Sequence, residues 1–522
     1  MSRKEQECRQ MSPRVVDIPT LLLLLAALIF LYVFLFLPPF VPIAVGEDSP
    51  QYLADAKRMF EGQVMYRDFF AFVTPGLALL NLLLFKLVGL RLWIPNLELL
   101  LLGPGLAWIG IIIAKKLMHP SLALLPSAIF LAGMYSRQLD ATHHWFSLLT
   151  ASAAIAVLME RRTPARIATA GFFCGLTACF TQTRGLAVAV AFAAYLWWES
   201  RQRHEDRRRL FKQEAWLGAG FFATLLAVNG YFIWKAGLAR FLWCTVVFLF
   251  KYAPKYGEAN SILAFRPSLP AFGSLHNLIL RSIEFVSLYV LIPFTYILFF
   301  ARYWRDRSKR PTGFWERPML LAMVGFALLL STAPAPGPLR MAASELPGVI
   351  LLVWFIDSPR KVTRALAGLL AAGTVLIALN AVVRERPVPR WILTTPQGRL
   401  VVGDQETYEM YTWIQQHTRP SEYFFEAGGV DIYFFLDLRD PTPLPFLRNN
   451  GFTTPEQVTE VIQGLEQHHV RYILWYPDLD LVTDAKDASE YNLWPLRNQI
   501  YSHYQRVKVF ANSGALWEST RP

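Results

Sequence analysis

Charge and cysteine are what this chain of 522 residues has little of. Asp, Glu, Lys and Arg make up 17% of it, against about 25% in soluble domains. With 54% hydrophobic residues beside that deficit, an ordinary soluble protein of this size is excluded. The four cysteines, Cys8, Cys174, Cys179 and Cys244, are too few for a disulfide framework. None lies beyond residue 244, so the C-terminal part has no disulfide in any compartment. Cys174 and Cys179 have a CxxxxC spacing inside an apolar helix with no His nearby, which reads as small buried residues rather than a metal site. No sustained repeat and no low-complexity tract is found. Gly428-Gly429 follows a strand pattern without GxGxxG spacing, so no nucleotide site is expected there.

What is present is apolar length. Ile18–Leu37, Gly218–Trp234 and Val286–Phe300 reach or approach the roughly 20 residues that cross a hydrocarbon core. The fold class expected is therefore a polytopic α-helical membrane protein. The net charge of +12 is then the Lys and Arg surplus of cytoplasmic loops, not the mark of a nucleic-acid partner. The first apolar run exceeds a signal-peptide h-region and ends in Leu-Pro-Pro-Phe, so cleavage is not expected.

Charge also orients the chain. Residues 1–17 carry Arg3, Lys4, Arg9 and Arg14 and belong in the cytoplasm. A first span over 18–40 brings Gly46 out on the other face. The stretch 74–90 resembles a span but is short, with Pro75 at its start and Lys86 near its end. If it does not cross, later spans fall near 93–114, 118–135, 145–159, 167–181, 185–198, 215–234, 279–300, 318–332, 340–356 and 362–383. The basic loops 115–116, 160–166, 199–212, 301–317 and 357–364 then all lie inside, as the positive-inside rule requires. A crossing at 74–90 would turn every one of them outward. The expectation is about eleven spans, with 74–90 juxtamembrane or re-entrant. The module 18–383 leaves outer loops at 41–92, 136–144 (SRQLDATHH), 235–278 (with KYAPKYGEAN) and 333–340.

Acids become common from about 384, and residues 384–522 read as a small extracytoplasmic α/β domain. Helices are expected at 406–417 and at 454–468, the second opening on Thr454-Pro455-Glu456. Strands are expected at 422–427, 470–476 and 504–510.

The informative stretch is GEDSPQYLADAKRMFEGQVMYRDFFAFVTPG, residues 46–76. Glu47 and Asp48 sit just past the end of a span, where a carboxylate is costly unless solvated or used. Tyr52, Leu53, Ala56, Met59 and Phe60 then share one helical face, with Asp55, Lys57, Arg58 and Glu61 on the other. That pattern predicts an interfacial helix lying along the membrane with its charges in water.

Those features resemble the GT-C superfamily of polyprenyl-phosphate-sugar-dependent glycosyltransferases, in the branch of the protein O-mannosyltransferases and aminoarabinose transferases. The likeness is carried by Glu47-Asp48, Tyr52, Ala56, Gly62, Tyr66-Arg67-Asp68 and Pro75-Gly76, by Asp140 with His143, and by Pro338-Leu339-Arg340 ahead of Leu346-Pro347. Many relatives have Asp-Glu where this chain has Glu47-Asp48. The resemblance implies a polyprenyl-phosphate-linked sugar donor, a glycan, lipid or protein acceptor, and a site on the outer face of a bacterial plasma (inner) membrane.

The chemistry such transfer needs can be stated from the residues. A sugar on a lipid phosphate has a good leaving group, whereas the acceptor hydroxyl needs a carboxylate to take its proton. Asp48 is the candidate base and Glu47 the alternative, while capping of the helix that starts near Pro50 is the bland role for Asp48. Asp140 would assist the base or position the acceptor, or be a solvated loop residue. Charge on the departing phosphate needs Arg or Lys in a water-poor site. Arg340 is the first candidate, with an interfacial anchor the alternative. Arg184, Arg67, Lys251 and Lys255 follow. His143, His144 and Tyr66 are candidates for acceptor or cavity contacts. One outstanding carboxylate site predicts a single displacement with inversion. No dedicated metal cluster and no cofactor motif is visible, although the acid pair is able to recruit a divalent ion. A non-catalytic lipid or glycan transporter or flippase is the alternative. It would place charge near the bilayer midplane in related halves, whereas here the acids lie at one surface and no such halves occur. A glycan ligase or polymerase would place its long functional loop late in the chain.

Overall fold

The computed structural model describes residues 17–46, 48–252, 275–357, 361–385, 391–449, 452–480, 493–511 and 514–521. Two ties at opposite ends of one helix pair set the frame. Helix α1 (Ile18–Leu35) opens on Asp17, whose carboxylate accepts from the Thr20 amide at 3.0 Å. Past the first loop lie α2 (Ser49–Phe60), α3 (Gly76–Val88) and α4 (Ile94–Lys115). Lys115 Nζ donates to Asp17 Oδ2 and to Thr20 Oγ1, both at 3.0 Å. At the far end Asn96 Nδ2 donates to the carbonyls of Leu35 and Ile43, both at 2.8 Å. So α1 and α4 run antiparallel, and the chain from 36 to 93 leaves and returns at one end of the body.

That geometry keeps α3 at the same end. Its first residue, Gly76, lies so close to the Cys179 carbonyl that any β-carbon would collide. Its last turn stacks Phe85 on Phe434 of the C-terminal domain at 5.5 Å. Both ends of α3 are held at the same end of the body. Its 13 residues span roughly 20 Å at 1.5 Å each, short of a roughly 30 Å core.

The remaining body helices are α5 (Leu125–Gly133), α6 (His143–Leu158), α7 (Pro164–Phe180), α8 (Gln182–Gln202) and α9 (Arg207–Ala236). Then come α10 (Leu275–Val286), running through a π turn into α11 (Ile292–Asp306), α12 (Glu316–Leu330), α13 (Pro338–Ala342), α14 (Leu346–Ile356) and α15 (Lys361–Asn380). Among the described residues five stretches are long and apolar enough to cross a bilayer: Ile18–Leu35, Ile94–Lys115, Arg207–Ala236, Arg281–Lys309 and Ala365–Arg384. Two expected spans are shorter than the hydropathy pattern. Pro126 opens the helix at α5, and Pro347 opens it at α14 after a break at residues 343–345, since a first turn is where proline costs a helix least.

The basic loops collect at the end away from the first loop, in ion pairs. Glu160 binds Lys116 at 2.7 Å and also Arg166. Glu199 binds Arg162 at 3.0 Å, and Arg203 binds Glu316 at 2.6 Å. The basic loops thus sort to one end of the helices.

The C-terminal part caps the other end. A hairpin, β3 (Trp391–Thr395) with β4 (Gly398–Val402), is tied to the chain after α1 by the Ala44 amide on the Val401 carbonyl at 2.8 Å; β1 (Phe36–Leu37) and β2 (Val41–Pro42) pair beside it. Then follow α16 (Gln405–His417), β5 (Phe425–Glu426), α17 (Asp431–Phe435), α18 (Pro455–Gln467), β6 (Tyr472–Trp475), α19 (Trp494–His503), β7 (Tyr504–Phe510) and β8 (Gly514–Ser519). The sheet order is β5-β6-β8-β7, with β5 parallel to β6 and the other pairs antiparallel. Thr454 caps α18 as expected, in a capping box with Gln457.

The interfacial-helix expectation fails for α2. Its charged face is not in water: Asp55 is 2% exposed and Lys57 3%, covered by the C-terminal domain. Periodicity found the polar face but not what lies on it. Tyr66, Phe69 and Phe70 are likewise buried, in a core shared with Leu444 and Trp475.

Single cysteines replacing Arg67 and Arg91, on either side of α3, should react with a membrane-impermeant maleimide from one face only. A cysteine replacing Ser121 should react from the opposite face. Opposite labelling of 67 and 91 would mean that α3 crosses.

Candidate functional site

Helix α2 begins beneath a carboxylate from another segment. Asp140 Oδ2 accepts the Asp48 amide and Oδ1 accepts the Ser49 amide, each at 2.9 Å. An anion at a helix N-terminus satisfies free amides and meets the positive end of the helix dipole. Gly46 makes the approach possible. Its φ of +84° suits glycine, and a β-carbon there would collide with Asp140 Oδ1. The local capping role is therefore vacant: the Asp48 side chain makes no cap hydrogen bond to its own helix.

Tyr52, one turn into α2, is 4% exposed and its hydroxyl bonds His143 Nδ1. Burial holds its phenol well above the usual range, Asp48, Asp140 and Asp55 add to that, and Arg340 opposes it. One hydroxyl thus lies within the fields of Asp48, Asp140 and Arg340.

His143 and His144 open α6 behind Thr142, whose hydroxyl accepts the His144 amide at 3.0 Å. Their rings lie 3.9 Å apart. Arg340 Nε contacts His144 Nε2 at 3.3 Å. A guanidinium only donates, so Nε2 accepts, the proton sits on Nδ1 and His144 is neutral. That Nδ1–H is buried and has no partner among the described residues.

Arg184, at the start of α8, is 2% exposed. It donates to the carbonyls of His144 at 3.1 Å, Ala343 at 2.9 Å and Arg340 at 2.7 Å, and to Ser147 Oγ at 3.2 Å. It ties the start of α6 to the break between α13 and α14, and so holds Arg340 in place. Among the described residues no carboxylate pairs with Arg184 or Arg340.

The structure thus brings Asp48, Asp140, His143, Arg184 and Arg340 together. It does not bring Tyr66, Arg67 or Lys251. Tyr66 donates its hydroxyl to the Val73 carbonyl at 2.6 Å and packs on Phe232 and Phe241. Arg67 is exposed and paired with Asp68 at 2.7 Å. Lys251 is exposed with its ammonium over the Tyr252 ring. Glu47 and Lys255 lie outside the described residues. Sequence reasoning missed Glu345, fully buried with both oxygens unpaired among the described residues. An acid at the edge of a proline-broken apolar run was its signal. Among the described residues no three His, Cys, Asp or Glu side chains converge as a metal cluster would.

Fold and site together define a class: a helical membrane body whose polar groups gather at one end, under an α/β cap built into the first loop. This is the GT-C fold. The chain is similar to ArnT from Cupriavidus metallidurans, whose crystal structure is bound to undecaprenyl phosphate. The TM-score is 0.53 at 13% identity, over 95% of this chain and 97% of that one. It also matches the archaeal oligosaccharyltransferase AglB from Archaeoglobus fulgidus, with TM-score 0.49 and 13% identity over 97% of this chain and 74% of that one. No protein-family profile and no curated protein matches the sequence. At these identities the ArnT likeness speaks for the fold.

Replacing Asp140 by Ala should orphan two amides of α2 and lower thermal stability in detergent by about 1–2 kcal/mol. Asp140→Asn, which keeps one acceptor oxygen, should lose less. Equal melting of all three proteins would show that α2 does not depend on this contact.

Proposed function

We propose that the chain is an integral membrane glycosyltransferase that moves a sugar from a polyprenyl-phosphate carrier to an acceptor hydroxyl, at the capped and outer face of a bacterial plasma membrane. The reading rests on one observation above others. Asp140 fixes the Asp48 end of α2, and the same helix sets Tyr52 on His143, whose neighbour His144 is held by Arg340, so that an acid and a guanidinium are gathered at one end of the body.

Asp48 takes the acceptor proton as the acceptor oxygen attacks the anomeric carbon. The new C–O bond forms while the bond to the carrier phosphate breaks, and its electron pair leaves on the phosphate. Arg340 stabilises that charge as a charge-assisted donor. Arg184 positions Arg340, and Asp140 positions the α2 N-terminus. Glu47, adjacent to Asp48, is the alternative base. A single displacement inverts the anomeric configuration.

Purified protein given a panel of polyprenyl-phosphate sugars should transfer one of them. Asp48→Asn should lower turnover by about 100-fold or more with unchanged melting. A folded Asp48→Asn with full turnover removes Asp48 from this role. Arg340→Gln should lower both kcat and kcat/KM for the donor by about 10–100-fold. The product should carry the opposite anomeric configuration to the donor; retention rejects the single displacement. Activity should survive EDTA, and loss restored by a divalent ion would place a metal on the Glu47–Asp48 pair.

A further inference from the structure

We infer that the C-terminal domain sets the position of Asp48 by clamping α2, through Lys57 and Arg58, against the segment from Asp437 to Thr442. The catalytic consequence rests on the function proposed above; the clamp itself does not.

Lys57 is 3% exposed and its three donors are all engaged. It meets the Leu438 carbonyl at 2.8 Å, Glu61 at 3.1 Å and Asp437 at 3.2 Å. Arg58 lies with its guanidinium carbon 4.6 Å from the Phe69 ring centre. It donates to Asp440 Oδ2 at 3.1 Å, the Thr442 carbonyl at 2.8 Å and Gln63 at 2.8 Å. Asp440 is in turn held by the Thr442 amide at 2.8 Å and hydroxyl at 2.9 Å. Glu61 also meets Arg439 at 3.5 Å.

A rigid helix of 12 residues is fixed in direction by two points and in rotation by a third. Asp140 is the first, at the N-terminus. The Lys57–Arg58 clamp is the second, near the C-terminus. Tyr52 on His143 is the third. Release of the clamp leaves α2 free to turn about Asp140, and that rotation re-aims the Asp48 side chain, which is anchored there only through its backbone amide.

The clamp contains an unpaired group. Asp55 Oδ2 is buried without a partner among the described residues, in a narrow cleft lined by Ala54, Arg58, Tyr433, Leu438 and Asp440. Lys57, Glu61, Asp437 and Arg439 complete the charges around it. Burial pushes Asp55 up to about 7, with Arg58 opposing and Asp440 adding. Burial likewise pushes Asp440 up to about 6 against Arg58 and Thr442. Raised carboxyls take up protons on docking. Their contribution to docking is therefore full below the ordinary value near 3.8 and is lost as pH rises through about 6 to 7.

The test is hydrogen exchange of peptides covering 48–60, with donor kinetics, on the full chain in nanodiscs. Asp440→Ala, which removes the acceptor of Arg58 and Thr442, should raise exchange of 48–60 several-fold, leave β6 and β8 unchanged, and lower kcat several-fold with donor KM little changed. Asp437→Ala, on the more exposed rim of the clamp, should act in the same direction and serves if Asp440→Ala does not fold. Wild-type exchange, corrected for intrinsic rate, should rise from pH 5.5 to pH 8, and Asp55→Asn should reduce that dependence. Unchanged exchange in a folded clamp variant overturns the clamp. Raised exchange with unchanged kcat overturns its role in positioning Asp48. Should no polyprenyl-phosphate sugar be turned over by the wild type, the proposed function fails while exchange still decides the clamp.

Discussion

One carboxylate bridging two segments governs the polar end of this protein. Helices need acceptors for their first amides, and most find them in a neighbouring Ser, Thr, Asp or Asn. Here the acceptor lies 92 positions along the chain, in Asp140. The arrangement welds the first loop to the start of α6, which puts Tyr52 on His143. It also requires a residue without a β-carbon at 46, so Gly46 belongs to the site as much as the acids do. Had Asp48 capped its own helix, its carboxylate would be turned onto backbone amides.

The second constraint is cationic. Arg184 and Arg340 lie together, and the Arg184 charge is met by carbonyls and a hydroxyl. Burying a charge without an opposite charge costs several kcal/mol even when every donor is satisfied. Carbonyl dipoles offset part of that cost and leave net positive potential at the site. His144 cannot relieve it, because accepting from Arg340 keeps its ring neutral. An anionic group arriving from outside meets a preorganised donor set. A phosphate monoester or diester has the right charge and geometry for a guanidinium fork, and that match is what the proposed phosphate-linked donor rests on.

How much of this was legible in the sequence follows from what each signal measures. Hydropathy located the body helices because lipid demands continuous apolar faces, and the ends of α5 and α14 were lost only where Pro126 and Pro347 open a helix within an apolar run. The clustering of basic loops was legible because basic charge sorts by end. In the C-terminal domain α16, α18, β6 and β7 were visible in their periodicity, whereas the hairpin of β3 and β4 and the strand β8 were not foreseen. Gly514, which opens β8, faces the Trp475 carbonyl at a distance no β-carbon would tolerate, a tertiary fact with no local signal. In the site, the acids and Arg340 stood out as charges beside apolar runs. Arg67 and Lys251 stood out equally and do not join it, since a charged residue near a membrane surface carries no record of its partner. For Arg67 that partner is simply the next residue.

The same blindness applied to α2, and its correction changes how the C-terminal domain must be regarded. Leu53, Ala54, Ala56 and Phe85 of the first loop share one core with Phe434 and Tyr433, and Met65 and Phe70 share another with Leu444 and Phe452. Removing the domain would expose both sets to water and leave Lys57 without Asp437 and the Leu438 carbonyl. Water would replace those acceptors around the uncovered ammonium, so the destabilisation comes chiefly from the apolar surface laid bare. Loss of activity on truncation would therefore follow whether or not the domain touches an acceptor. Only single substitutions, made where the domain meets α2 or on its free surface, separate a structural cap from a recognition element.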